Sequence, residues 1–299
     1  MNRQHRRTDE WKIKWRLPFA VCPAFNQPVV AAHALVGYRT WASATLRPVR
    51  SPSGQEGLLD SAYRSPNGFL ASLAAADFEL IRPYLRTVDL VQESVLVEVD
   101  ETLKRAYLPH KGVISLVVKL SKGESVQIAM VGRDSIFGSF SAMSDPTALN
   151  SAVVLVPGVA STLDIDRVRS AADQSTTFRA SLVRHGLAVY AQIQQTAGCN
   201  AAHTVESRLA RCLLHTRDLS GSNNLVLTQE SMAQMIGARR NSVSLVANTL
   251  QQAKFIHYSR GHIEITDFDG LSKTSCECYA TVKAQYERLI HPRCGRERI

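Results

Sequence analysis

The sequence predicts an α+β chain: an N-terminal jelly-roll β domain, then a long helix, then two short helices followed by a hairpin. Three observations predict it. Short runs rich in Val, Ile and Leu, separated by Gly and Pro turns, fill the stretch from Ser94 to Ile165. Apolar residues then recur at three- to four-residue steps between Arg167 and Gly198. Finally, two amphipathic segments meet at Gly237 and lead into an Ile- and Tyr-rich pair of strands.

With 299 residues there is room for two ordinary domains, and 45% hydrophobic with 20% charged residues describes a globular chain. The formal net charge of +9 favours a polyanionic partner. Cysteines 22, 199, 212, 276, 278 and 294 form no CxxC pair, which fits a reduced, cytoplasmic setting. No run reaches the roughly 20 apolar residues of a membrane span, so no membrane partner is expected. Leu17 to Phe25 follows basic residues as a signal peptide would, but it holds Pro18 and Pro23 and has no small-residue cleavage site.

Residues 1–66 carry recurrent prolines, weak periodicity and a basic start, and they read as a disordered extension. The β domain is expected over 67–172. It opens with helical spacing (Phe69, Leu70, Leu73, Phe78, Ile81) broken at Pro83, with Asp77 as a candidate cap. Ser94–Val99 and Gly112–Leu120 read as strands, and Tyr107 and Leu108 precede Pro109. A turn at 121–124 leads to Val126, Ile128 and Met130. Ala152–Val156 and Ala160–Ile165 read as a hairpin turned at Pro157-Gly158.

Residues 173–199 read as the long helix. Its stripe, Phe178, Leu182, Val189 and Ile193, needs a partner: its own β domain is one candidate, and the favoured expectation is a second copy of the same helix forming a dimer seam. His185 falls in the stripe as a packing residue.

The DNA-binding unit is expected over 200–270. His203 to Asp218 is amphipathic, and 220–224 reads as a loop. Thr228 is a good N-cap with Glu230 in the first turn, Met232, Met235 and Ile236 form an apolar face, and Gly237 ends the helix. The next helix begins near Arg239 and buries Val243, Val246, Ala247 and Leu250. Winding it at about 100° per residue turns Asn241, Leu245, Asn248 and Gln252 outward, with Arg240 and Ser244 on the flank. Arg240 can reach a guanine edge, Asn241 an adenine edge, and Leu245 a thymine methyl, with Ser244 beside them. Thr228, Gln229, Arg239 and Ser242 are placed for phosphates, and Arg260 sits at the tip of the hairpin. The bland alternative is a solvated helix face inside a packing module.

This order of elements, with Leu227-Thr228-Gln229-Glu230, Met235-Ile236-Gly237 and Arg239-Arg240-Asn241-Ser242-Val243, resembles the Crp/Fnr family of bacterial transcription regulators over about 67–268. The resemblance implies a winged helix-turn-helix, a cyclic-nucleotide-binding-like β domain that senses an effector, and a homodimer on a pseudo-palindromic site. The expected partners are double-stranded DNA, a second copy of the chain, and RNA polymerase.

Cyclic-nucleotide sensors of the family carry Gly-Glu for the ribose and Arg with Ser or Thr for the phosphate. The matching places here are Gly138-Ser139 and Asn150-Ser151, with neither carboxylate nor guanidinium, so a cyclic nucleotide is not expected unless another arginine such as Arg133 serves. An iron–sulfur cluster is not expected either, because Cys22 alone cannot supply four ligands. A haem ligand stays open among Cys22, His33 and His110. Residues 271–299 read as a C-terminal helix and tail, whose Cys276 and Cys278 would point apart on a helix and pack rather than bind, so no metal is expected. No nucleophile–base pair, P-loop or HExxH motif is present, and an enzyme is not expected.

Overall fold

A computed structural model describes residues 65–121 and 123–290. Nearly all of the extension expected over 1–66, the candidate haem ligands Cys22 and His33, and the tail 291–299 lie outside the described residues.

Helices α1 (Gly68–Ser72) and α2 (Ala75–Ile81) come first, and a single 3-10 turn over Arg82–Tyr84 ends α2 at Pro83. Asn67 caps α1, and its amide donates to the Pro109 and Ser135 carbonyls at 2.9 Å each. Ala74, not Asp77, holds the cap position of α2. The Asp77 carboxylate instead accepts from the hydroxyls of Ser175 and Thr177 at 2.5 and 2.7 Å, which fastens α2 to the start of the long helix.

Five strands follow: β1 (Arg86–Leu90), β2 (Val95–Val97), β3 (Arg105–Lys119), β4 (Ser125–Val131) and β5 (Ser151–Asp164). All pairings are antiparallel, in the order β1-β5-β3-β4, with β2 also on β5. Two sequence expectations are corrected. The strand expected to begin at Gly112 begins at Arg105 and runs through Pro109, and Pro157-Gly158 does not turn a hairpin. β3 and β5 run 15 and 14 residues through those positions, paired from Arg105↔Asp164 to Val117↔Ser151. The register slips between Pro109 and Val113. Gly112 there has φ +90°, and a Cβ on Gly158 would fall on the Lys111 carbonyl oxygen. The Pro-Gly pair therefore marks a bulged bend where two backbones touch.

The sheet is buried on both faces. Ile114, Leu116, Val131 and Val154 face a core shared with α1, α2, α3 (Ser139–Met143), α4 (Ile165–Gln174) and α5 (Thr176–Ala202). Val113, Met130, Leu155 and Val156 face the other way, onto Leu209, Leu213 and Leu219 of α6 (Val205–Ser220). That is why apolar residues sit next to each other at Val113-Ile114 and Leu116-Val117 instead of alternating with polar ones.

Helix α5 corrects the expected dimer seam. Phe178 and Leu182 are wholly buried in the β domain's own core, with Val189 and Ile193 packed against it. His185 is buried in the same face, bonded to the Ser135 hydroxyl at 3.0 Å and edge-on to Phe69, so it does pack. What α5 exposes is Val183, Leu187 and Tyr190, at 40, 44 and 51%.

After α6 come β6 (Asn224–Val226), α7 (Gln229–Ile236), α8 (Arg240–Gln252), β7 (Ile256–Ser259), β8 (His262–Ile265), α9 (Phe268–Thr274) and α10 (Cys278–Ile290). The wing is a three-stranded sheet, β6-β8-β7, where the sequence suggested two strands and a loop reaching Asn224. Helix α10 returns to the β domain, and the Tyr286 hydroxyl donates to the Asp134 carbonyl. Cys276 lies in the connection before α10 and Cys278 begins the helix, so the two do not share one helix as expected.

Candidate nucleic-acid interface

The interface is built by local signals. The Thr228 hydroxyl caps α7 by accepting from the Ser231 N–H at 3.0 Å. Gly237 ends α7 with φ 57° and ψ 44°, the left-handed geometry that allows the sharp turn into α8. Arg208 of α6 holds the turn from below, donating to the Ile236 and Asn200 carbonyls at 3.0 and 3.2 Å. Val243, Ala247 and Leu250 fix the inward face of α8, joining Met232, Met235 and Ile236 in one core.

The opposite face of α8 is free. Arg239, Arg240, Asn241, Ser242, Asn248 and Gln252 are exposed, and Leu245 is 69% exposed. Ser244 is half-buried, and its hydroxyl donates back to the Arg240 carbonyl at 3.1 Å, so it is less available for base contact than the wheel suggested. Arg240 Nε also lies 3.4 Å from the Gln229 side-chain oxygen, which links the two helix starts. Thr228 and Gln229 are half-buried at the N-terminus of α7.

The wing turns on Arg260 and Gly261, both with positive φ (49° and 79°), as a two-residue primed turn requires. The turn leaves Arg260 exposed at the tip. The Tyr258 N–H donates to the Gln251 side chain at 2.7 Å, which sets the wing against the end of α8. No salt bridge to another described residue engages Arg239, Arg240 or Arg260. Cations left without a protein counter-charge are free to replace condensed counterions on a phosphate backbone.

The β-domain cassette is different. Gly138, with φ +103°, starts α3, and Ser139 is buried behind it. A Cβ on Gly138 would come within 3.1–3.3 Å of Leu103, Ala106 and Ile165, so a side chain there would be tight as well as strained in φ. Asn150 precedes β5 and Ser151 starts it. The Ser151 hydroxyl donates to Glu98 at 2.5 Å, and Glu98 is paired to Lys119 at 2.7 Å. The Lys119 and Ser151 hydrogen bonds hold the Glu98 carboxyl below its usual range, so it stays ionised. A carboxylate already occupies the serine that a phosphate would need.

A cavity of about 500 Å³ lies elsewhere, between the sheet, α5, α6 and α10. Arg133 lines it, with Asp134, His215, Asp218, Tyr279 and Tyr286. Arg133 therefore sits in a cavity, but not at the cassette. Burial raises the Asp134 carboxyl to about 6, and its Oδ1 has no hydrogen-bond partner. Burial, then the nearby Arg211 charge, lowers His215 to about 4. His110, the one described haem candidate, has its Nε2 2.8 Å from the Ser161 hydroxyl.

Among known proteins, the family model of the Crp-like helix-turn-helix domain matches residues 207–274. FixK2 from Bradyrhizobium japonicum is similar in structure, with a TM-score of 0.56 at 15% identity over 64% of this chain and 98% of that one. A CRP-family transcriptional regulator from Thermus thermophilus matches with a TM-score of 0.53 at 17% identity, over 63% of this chain and 96% of that one. The c-di-GMP responsive global regulator CLP of Xanthomonas campestris matches with a TM-score of 0.53 at 12% identity, over 64% and 99%. These likenesses show a shared fold. No curated protein matches the chain by sequence.

Proposed function

We propose that this chain is a DNA-binding transcription regulator of the Crp/Fnr family that works as a homodimer and reads a pseudo-palindromic site. The observation that carries this reading is the solvent-exposed outward row of α8, Arg240, Asn241 and Leu245, with Arg260 held at the wing tip. Arg240 offers two donors to a guanine edge and Asn241 a donor–acceptor pair to adenine, while Leu245 lies against a thymine methyl. Arg239, Ser242, Thr228, Gln229 and Arg260 hold phosphates and set register. The dimer forms through the outward stripe of α5, Val183, Leu187 and Tyr190, spaced four and three residues apart as in a coiled-coil seam. Two copies would set their recognition helices roughly 34 Å apart. RNA polymerase is the further partner such a regulator uses.

The Glu98–Ser151 bond favours an effector other than a cyclic nucleotide, and calorimetry with cyclic AMP and cyclic GMP should give no binding heat. Selection of bound sites from random duplexes, repeated at two salt concentrations, tests the main reading. It should return an inverted repeat whose affinity falls steeply with salt. Salt-independent or absent duplex binding would favour a module whose helix-turn-helix only packs.

A further inference from the structure

The end of α5 and the start of α10 bring four metal-ligating side chains together. Cys199 lies on the last turn of α5, and His203 is its C-cap. Cys276 and Cys278 arrive from the α9–α10 connection. The Sγ atoms of Cys199 and Cys276 are 3.5 Å apart, and Cys278 Sγ is 3.6 Å from His203 Nδ1. All four ligand atoms lie within 4.8 Å of one another. The three cysteines are buried, and they form a cluster separate from both hydrophobic cores.

We propose that Cys199, His203, Cys276 and Cys278 form a Cys3His site for a single zinc-class divalent ion. Tetrahedral zinc bonds of about 2.3 Å to sulfur and 2.0–2.1 Å to nitrogen place the ligand atoms about 3.5–3.8 Å apart, close to the spacing here. An iron–sulfur cluster holds its cysteines around several irons and spreads them wider.

The surroundings fit an ion better than packing alone. The other ring nitrogen of His203, Nε2, lies 3.1 Å from the Glu277 carboxylate, which fixes the tautomer that turns Nδ1 toward the thiols. The Gln195 amide donates to Cys278 Sγ at 2.9 Å, as an outer-shell donor to a thiolate would. Arg211 is 3% exposed, its Nε has no hydrogen-bond partner, and it lies within electrostatic reach of all three cysteines. Zinc with three thiolates and a neutral imidazole carries one negative charge, the counter-charge this buried guanidinium needs. Binding releases the three thiol protons to solvent and transfers no electrons. The ion would pin α10, which returns to the β domain, to the helix that leads into the DNA-binding unit.

The test is elemental analysis of the full-length protein purified without chelator, followed by exchange to cobalt(II). The expected result is about one zinc per chain and, after exchange, the thiolate charge-transfer and tetrahedral d–d bands of a thiolate-rich cobalt site. Cys276→Ser should lose both, while Cys22→Ser with Cys294→Ser keeps them. Glu277→Gln should weaken zinc about tenfold in chelator competition, which a packing role for the cysteines would not predict. If Cys276→Ser fails to fold, the wild-type stoichiometry and the cobalt spectrum still decide. No retained metal with no cobalt spectrum, iron accompanied by sulfide, or a Cys199–Cys276 disulfide in non-reduced peptide mapping would each overturn the site.

Discussion

Helix α5 turns Phe178 and Leu182 into the core of the β domain, while α8 holds Arg240, Asn241 and Leu245 out to solvent. Both stripes looked like binding surfaces in the sequence. The difference is whether the chain's own atoms reach the side chains first. The cassette repeats the contrast, because Glu98 already takes the Ser151 hydroxyl, whereas no described carboxylate forms a salt bridge with Arg239 or Arg240 at the start of α8. A surface predicted from periodicity becomes a site only where folding leaves it unused.

The contrast is broken most directly on α5. Leu182→Ala should cost about 2–5 kcal/mol in chemical denaturation, because it empties a core position. Leu187→Lys should cost little stability but shift sedimentation toward monomer. The opposite pattern would return the seam to the inward stripe.

The cavity gives the next effect. Asp134 is raised from 3.8 to about 6, so the folded state holds its proton, and its stabilisation is lost as pH rises between those values. His215 is lowered from 6.5 to about 4, so its contribution is lost as pH falls between those values. Each shift is worth on the order of 3 kcal/mol, and the two offset each other in the wild type. Asp134→Asn should remove one arm, so the variant loses more stability than the wild type between neutral pH and pH 4, read by urea titration. Parallel profiles would show that Asp134 is not held protonated.

On α8, Arg240→Ala should cost about 1–3 kcal/mol of specific binding and relax preference at one base position, with denaturation unchanged. Equal losses on specific and random duplexes would reduce Arg240 to a phosphate contact. Smallest is Gly237→Ala, about 1 kcal/mol of stability, because φ is 57° and the new methyl would press on Val126 at 3.3 Å. An unchanged midpoint would mean that the turn relaxes.

The winged helix-turn-helix was readable in the sequence because its signals are local. The Thr228 cap, the Gly237 stop and the spacing of Val243, Ala247 and Leu250 each depend on residues within a turn or two, and each is in place. The third wing strand, β6, was not readable, since three residues carry no period and owe their conformation to β8. The β domain was read correctly as antiparallel but wrongly in its connections. Pro109 and Pro157-Gly158 are ordinary turn signals, and only the pairing of β3 with β5 makes them bulges.

By itself the sequence determined the order of elements, helix α8 and which of its residues face outward, because backbone propensity and helical winding act over a few residues. The tertiary structure alone decided which stripe of α5 is spent on the core, which hydroxyl Glu98 occupies, and that Cys199 and His203 meet Cys276 and Cys278. Those outcomes depend on contacts between distant parts of the chain, and no local pattern records which partner will arrive.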